Sequence, residues 1–200
     1  MKWLTRRGWA AALAVGLATI YGFGWRGMVL LLAFFFSASL LTSAPKGARN
    51  ARQVIANGGV AALAALAGSW PWFAGALAAA NADTWATEIG SHSRALPRLI
   101  TTGARVPTGT DGGMTLLGTA AGIVGAGFIA SLAGWFHRAS GPVSTNPEWL
   151  VIAVAIAGAG GMVLDSVLGA TVQGKVRWMD NDAVNLAATL AGALCAGLLA

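Results

Sequence analysis

The feature that most limits what this chain can become is the succession of long apolar runs along its 200 residues. Apolar residues make up 56% of the chain and charged residues only 10%, where a soluble domain carries about a quarter charged. A helix needs roughly 20 residues at 1.5 Å each to cross a 30 Å hydrocarbon core. Seven candidate spans satisfy or approach this: Gly8–Gly24, Gly27–Ala44, Val54–Ser69, Pro71–Ile89, Gly113–Phe136, Glu148–Thr171 and Asp182–Ala200. The first and third are marginal in length. The expectation is an all-α, polytopic transmembrane bundle of about seven helices, a single integral-membrane domain over residues 1–200. This composition excludes a soluble enzyme, a disulfide-stapled secreted domain and a disordered tail. Cys195 stands alone and reads as a small buried hydrophobe.

The charges assign sides. With the N-terminus in the cytoplasm, eleven basic residues fall inside: Lys2, Arg6, Arg7, Lys46, Arg49, Arg52, Arg94, Arg98, Arg105, Lys175 and Arg177. Only Arg26 and Arg138 fall outside, a strong positive-inside bias. It predicts N-terminus in, C-terminus out, in the cytoplasmic (inner) membrane. Lys2, Arg6 and Arg7 before an apolar stretch imitate a signal peptide, but the stretch runs into Tyr21-Gly-Phe-Gly-Trp25 instead of a small-x-small cleavage site, so it reads as an uncleaved first helix. The net charge of +6 is scattered between the spans and forms no continuous patch, which argues against nucleic acid. Trp25, Trp70, Trp72, Trp135 and Trp149 fall at outer ends, as belt residues do.

On this topology six of the seven acids gather at the inner side: Asp83, Glu88, Asp111, Asp165, Asp180 and Asp182, with only Glu148 outside. A carboxylate near a bilayer centre costs roughly 2.5–3.5 kcal/mol on insertion scales, so each should face protein, water or a cation. In Asn81-Ala-Asp-Thr-Trp-Ala-Thr-Glu-Ile-Gly90, Asn81, Thr84 and Glu88 share one helical stripe and Asp83 and Thr87 the next. Asp165 shares a stripe with Gly161, Gly169 and Gln173, and glycine beside an acid leaves room for a ligand or a tightly packed helix. Asp182 and Asn185 are three apart; Asp180 or Asp182 could equally cap the last helix.

The loop from Pro97 to Thr115 is rich in Gly and Thr. Such turns at a helix start present free N–H groups, an anion site in waiting, although no Walker A lysine is present. Lys46, Arg49 and Arg52 form a basic face that serves topology, anionic lipid or phosphate equally well. His92 and His137 fall on opposite sides, which makes a His-based zinc site poor. Carboxylates from several helices beside Gly/Thr turns and bases suit a Mg²⁺-phosphate site, since phosphoryl transfer asks mainly for positioning and charge neutralisation. A lipid-linked phosphate substrate would explain its place at a membrane face.

The ordered set Asn81–Gly90, Pro97–Thr102, Gly109–Thr115, Leu164–Gln173 and Asp180–Asn185 resembles the integral-membrane family that includes the plant phytyl-phosphate kinase of vitamin E (tocopherol) synthesis. The resemblance extends from about Lys46 to the C-terminus. It implies a prenyl-phosphate kinase that uses a nucleoside triphosphate, CTP, with Mg²⁺ to turn a phytyl-, farnesyl- or geranylgeranyl-phosphate type of substrate into its diphosphate. The implied catalytic and metal residues are Asp83, Glu88, Asp165 and Asp182. The implied nucleotide- and phosphate-binding residues are Lys46, Arg49, Arg52, Asn57, Thr102, Thr110, Gly112, Gly113, Lys175 and Asn185. Position 111 is Asp where the family motif commonly has Asn or Ser, and the link Gly174–Met179 is shorter than in longer relatives. The implied partners are the prenyl phosphate, the nucleotide, membrane lipid and, as a candidate, a second copy in a homodimer. The competing reading is a cation or phosphate transporter whose pathway the acids line.

Overall fold

A computed structural model describes residues 4–42, 47–139 and 146–200. It is helical apart from one small hairpin. The elements run α1 (Arg6–Leu41), α2 (Ala51–Leu66), α3 (Trp70–Gly90), β1 (Arg98–Leu99), β2 (Gly113–Met114), α4 (Leu116–Arg138), α5 (Pro147–Thr171) and α6 (Asn181–Leu199). Small polar residues start these helices. Thr5 accepts from the Gly8 N–H at 3.0 Å, Thr115 from Gly118 at 3.0 Å, and Asn50 forms a reciprocal capping box with Gln53.

Six named helices stand where the sequence predicts seven spans, because Gly8–Gly24 and Gly27–Ala44 run together in α1. That helix leaves helical geometry at Gly24, with φ 58° and ψ −146°. Gly24 is a reversal of the chain. A Cβ on Gly27 would lie 2.9 Å from Thr19 Cγ2, whereas eight residues of unbroken helix rise about 12 Å. Thr5, just before the helix, also donates its N–H to the Arg49 carbonyl at 3.0 Å, a few residues past the helix's other end. Thirty-six straight residues would hold those ends about 54 Å apart. The two limbs of α1 therefore lie side by side, and glycine at position 24 permits the left-handed φ on which they turn.

α3 occupies the middle, packed against α1, α2, α4, α5 and α6. Phe73, Leu77 and the alanines from Ala74 to Ala82 are buried throughout, and Gly75 and Gly192 bring α3 and α6 almost backbone to backbone. Small residues allow such approach where lipid supplies no hydrophobic drive between helices. α1, α4, α5 and α6 are long and apolar enough to cross a membrane. Enclosure explains why α3 is less apolar than they are: its neighbours are protein. The outward surface is apolar instead, as Leu13, Leu116, Ile123, Val124, Ile156 and Leu198 illustrate.

The α3–α6 crossing yields a stability test. Gly75→Val puts methyl groups into the Gly192 carbonyl and Ala196 Cβ, and overpacking of this kind costs about 1–3 kcal/mol. Gly127→Ala meets nothing within 4 Å and should be neutral or stabilising, by up to about 1 kcal/mol in a helix interior. Thermal unfolding in detergent checks the pair; equal behaviour of the two variants would contradict the packing described.

Candidate functional site

A cavity of about 580 Å³ opens at the end of the bundle where α3 ends and α4 begins. Asp83, Thr87 and Glu88 of α3 form one wall, and Asp165, Ser166 and Gly169 of α5, with Gln173 just past its end, the opposite one. The loop residues Thr110, Asp111, Gly112 and Gly113, with Thr115 at the start of α4, close a third side.

Backbone geometry holds that loop in place. Strands β1 and β2 pair Arg98 with Met114 and Leu99 with Gly113, antiparallel, and the Ile100 N–H donates to the Gly112 carbonyl at 3.0 Å. Gly103, Gly109 and Gly112 take left-handed φ values of 71°, 88° and 74° at the turns. Gly112 presses on α5: a Cβ there would lie 2.6 Å from the Ser166 carbonyl oxygen and 2.5 Å from Ala170 Cβ. Gly169 returns the contact, since its own Cβ would sit 3.0 Å from Gly112 N. The glycines beside Asp165 thus admit the loop backbone to the acid.

The acids fall into two groups. Asp83 and Asp165, from facing helices, come within hydrogen-bonding reach of one another, with the charge of Asp111 nearby. The Asp165 Oδ1 atom is buried with no hydrogen-bond partner. Glu88 and Asp182 instead have basic company. Glu88 is buried, lines the cavity and feels the charge of Arg49, whose guanidinium burial pulls below its ordinary pKa while Glu88 raises it. Arg52 reaches Asp182 at 3.5 Å and Asp180 at 2.6 Å. Asp180 caps α6 by accepting from the Ala183 N–H at 3.0 Å, and that bond and the Arg52 contact hold its carboxyl below the usual value. Asp182 does not line the cavity; its neighbour Asn181 does.

The predicted phosphate binders divide likewise. Thr110, Gly112 and Gly113 line the cavity. Arg49, Arg52, Asn57, Thr102, Lys175 and Asn185 are not among its lining residues. Asn57 donates to the Gln53 carbonyl at 3.0 Å, Thr102 accepts from the Ala104 N–H within the hairpin turn, and Lys175 donates to the Ala170 carbonyl at 3.0 Å. Lys46 lies outside the described residues. Sequence reasoning missed Asn181, Ser91, His92, Thr119 and Met162, which line the cavity. Asn181 carried a signal, lying between the two singled-out acids; Met162 carried none, because an apolar residue in an apolar helix is indistinguishable from core.

Among the described residues the lining therefore holds four acids, Asp83, Glu88, Asp111 and Asp165, and no Lys or Arg. No group of three or more His, Cys, Asp and Glu side chains among them forms a metal cage. The donor set suits Mg²⁺, which takes one or two carboxylates and leaves its other positions to water and phosphate oxygens. The pair Asp83–Asp165, with its unpartnered Oδ1, has that chemistry; a structural zinc site would require Cys or His.

The fold and the site define an integral membrane helix bundle with an acidic, glycine-walled cavity at one end. The chain belongs to the family described as integral membrane protein DUF92, whose model matches residues 1–193. An uncharacterized membrane protein of Methanocaldococcus jannaschii is 31% identical over 98% of this chain and 85% of the relative. One from Synechocystis is 32% identical over 98% of the chain and 82% of its own length. Protein VTE6, chloroplastic, of Arabidopsis thaliana is 28% identical over 98% of the chain and 65% of that protein. No solved structure matches the chain.

Asp180 offers a test of the architecture around the cavity. Asp180→Ala removes a helix cap and the tie to Arg52 and should lower the thermal midpoint. Asp180→Asn keeps a capping oxygen and should recover most of that loss in thermal unfolding. Because the folded carboxyl lies below its ordinary value, its stabilisation is present above the unfolded value of about 3.9. That stabilisation disappears as pH falls through the folded pKa, and Asp180→Ala should remove this acid dependence.

Proposed function

We propose that this protein is a membrane kinase that converts a prenyl monophosphate to the diphosphate with CTP and Mg²⁺, at a site facing the cytoplasm. The observation that carries the reading is the lining: four acids, one pair of them in contact around a buried free oxygen, and no Lys or Arg among the described residues. Such a wall repels a bare phosphate and accepts one that brings divalent cations, as a nucleoside triphosphate does. The motif resemblance supports the same chemistry.

In this reading Asp83 and Asp165 would hold Mg²⁺, with Asp111 contributing charge at longer range. Bound there, the ion would neutralise charge on the transferring phosphoryl group. The backbone N–H groups around Gly112 and Gly113 and the Thr110 hydroxyl orient phosphate oxygens, aided by the positive end of α4. An oxygen of the prenyl monophosphate attacks the terminal phosphorus of CTP, that phosphorus–oxygen bond breaks, and CDP leaves. The attacking oxygen is already ionised near neutral pH, so the chain supplies no general base. Glu88 with Arg49, and Asp180 and Asp182 with Arg52, hold the surrounding elements together. Both limbs of α1 cross the membrane, as do the other five helices, leaving the N-terminus inside and the C-terminus outside.

The test supplies purified protein with geranylgeranyl, farnesyl or phytyl monophosphate, CTP and Mg²⁺, and follows the diphosphate by mass spectrometry. Turnover is expected, falling roughly 10²–10³-fold in Asp83→Asn and Asp165→Asn, the scale of a lost electrostatic contact to the transition state. Arg52→Ala should lower thermal stability with a much smaller effect on kcat. No diphosphate with any prenyl chain or nucleotide, together with nucleotide-independent cation or phosphate flux into proteoliposomes, would replace the kinase with the transporter.

A further inference from the structure

The cavity has a floor that differs from its walls. α5 ends at the cavity side of the bundle, so Met162, three residues before Asp165, lies about one turn deeper. Met162 is 2% exposed and lines the cavity. It is buried with Ala82 and Ala126, with Ala86 and Met114 packed against them, in an apolar cluster separate from the main core. That cluster is built of Ala and Met alone. Gly122 completes it, because a Cβ at that position would collide with the Met162 Sδ atom.

We propose that Met162, backed by Met114, is a displaceable floor that admits the apolar tail of the substrate and decides how long a tail is accepted. The inference rests on the site being one for a lipid-linked phosphate. Three observations support it. First, methionine turns about three side-chain bonds and repacks readily, and its neighbours in this cluster are alanine, glycine and a second, equally flexible methionine, Met114. Second, Ile123 of α4 and Val163 of α5, next to Gly122 and Met162 in the chain, are exposed at that depth, where lipid would lie, so a tail that displaces the thioether has an apolar surface close by. Third, the polarity runs in the order an amphiphile needs, with carboxylates and turn N–H groups above and an apolar floor beneath. A wholly water-soluble substrate has no use for that gradient.

The test uses the full-length protein in detergent with two probes, dimethylallyl monophosphate, with one isoprene unit, and geranylgeranyl monophosphate, with four. Equilibrium binding and CTP-dependent turnover are both measured for the wild type, Met162→Ala, Met162→Phe and Met114→Ala. Met162→Ala should favour the long probe over the short one by roughly tenfold relative to wild type, the low end of what one methylene is worth in an apolar pocket. The bulkier, stiffer Met162→Phe should shift the ratio the other way, and Met114→Ala in the same direction as Met162→Ala. The KM for CTP should stay unchanged. An equal effect on both probes, or none, in Met162→Ala and Met114→Ala overturns the proposal. If diphosphate forms while the ratio is unmoved, the kinase stands and the floor falls. If binding shows the shift and no diphosphate forms, the floor stands and the kinase falls. A wild type that binds neither probe refutes both.

Discussion

The enclosure of α3 by the other five helices is the constraint from which the rest follows. In lipid, apolar side chains gain nothing by leaving one apolar medium for another, so helices associate through close packing. α3 meets that demand with alanine and glycine, and at Gly75 its backbone comes against that of α6. A helix so enclosed can carry polar groups that a lipid-facing helix could not. Asn81 is fully buried and donates to the Gly125 carbonyl at 2.8 Å while accepting from Ser37 at 2.9 Å. Two residues later on the same helix comes Asp83. The packing that ties α3 into the bundle thereby fixes the position of a carboxylate at the cavity.

Charge is divided by task. The bases gathered on one side of the chain would suggest phosphate binding if counted by number alone. Arg52 ties the start of α2 to the start of α6, Arg49 stands by Glu88, and Lys175 closes on the end of α5. The two arginine contacts join elements that the chain separates, Arg52 and Asp180 being 128 residues apart. Among the described residues the cavity is left to carboxylates, hydroxyls, the amides of Gln173 and Asn181, His92 and backbone N–H groups. An acidic cavity within a basic rim can attract an anion from solution and then accept it only with cations in attendance.

Much of this was legible in the residues. Apolar runs at membrane length marked the helices, and the acids marked one end of the bundle. Turn glycines before Thr115 marked the loop that faces them. What escaped was everything decided by reach across the fold. Asp83 and Glu88 are five residues apart on one helix, and sequence assigned them the same task. The structure sets Asp83 against Asp165 and gives Glu88 the charge of Arg49. Asp182 and Asn185, placed at the site by their spacing, lie off its lining, while Asn181 is on it. The reversal at Gly24, by contrast, falls where the sequence ends one span, Gly8–Gly24, and begins the next at Gly27. The segment Tyr21-Gly-Phe-Gly-Trp25 has no polar loop between its limbs, because a glycine in left-handed conformation turns the chain without one. α3 was read by length as an ordinary span, and only its surroundings explain why it tolerates Asn, Asp and Glu.

The glycines of α4 and α5 connect these levels. Gly169 and Gly112 bring the loop backbone against α5 beside Asp165, and Gly118 lets the start of α4 lie against Gly90 at the end of α3. One turn deeper, Gly122 makes room for the Met162 thioether. In the first two places the missing Cβ is filled by backbone, which cannot withdraw, so the wall around the carboxylates is rigid. In the third the nearest atom is Met162 Sδ, on a flexible side chain that can withdraw, with the Ala82 carbonyl oxygen behind it at 2.9 Å. The same substitution pattern thus yields a fixed polar rim and a yielding apolar base. A site that must hold a charged head still while accommodating a chain of variable length requires that difference in stiffness.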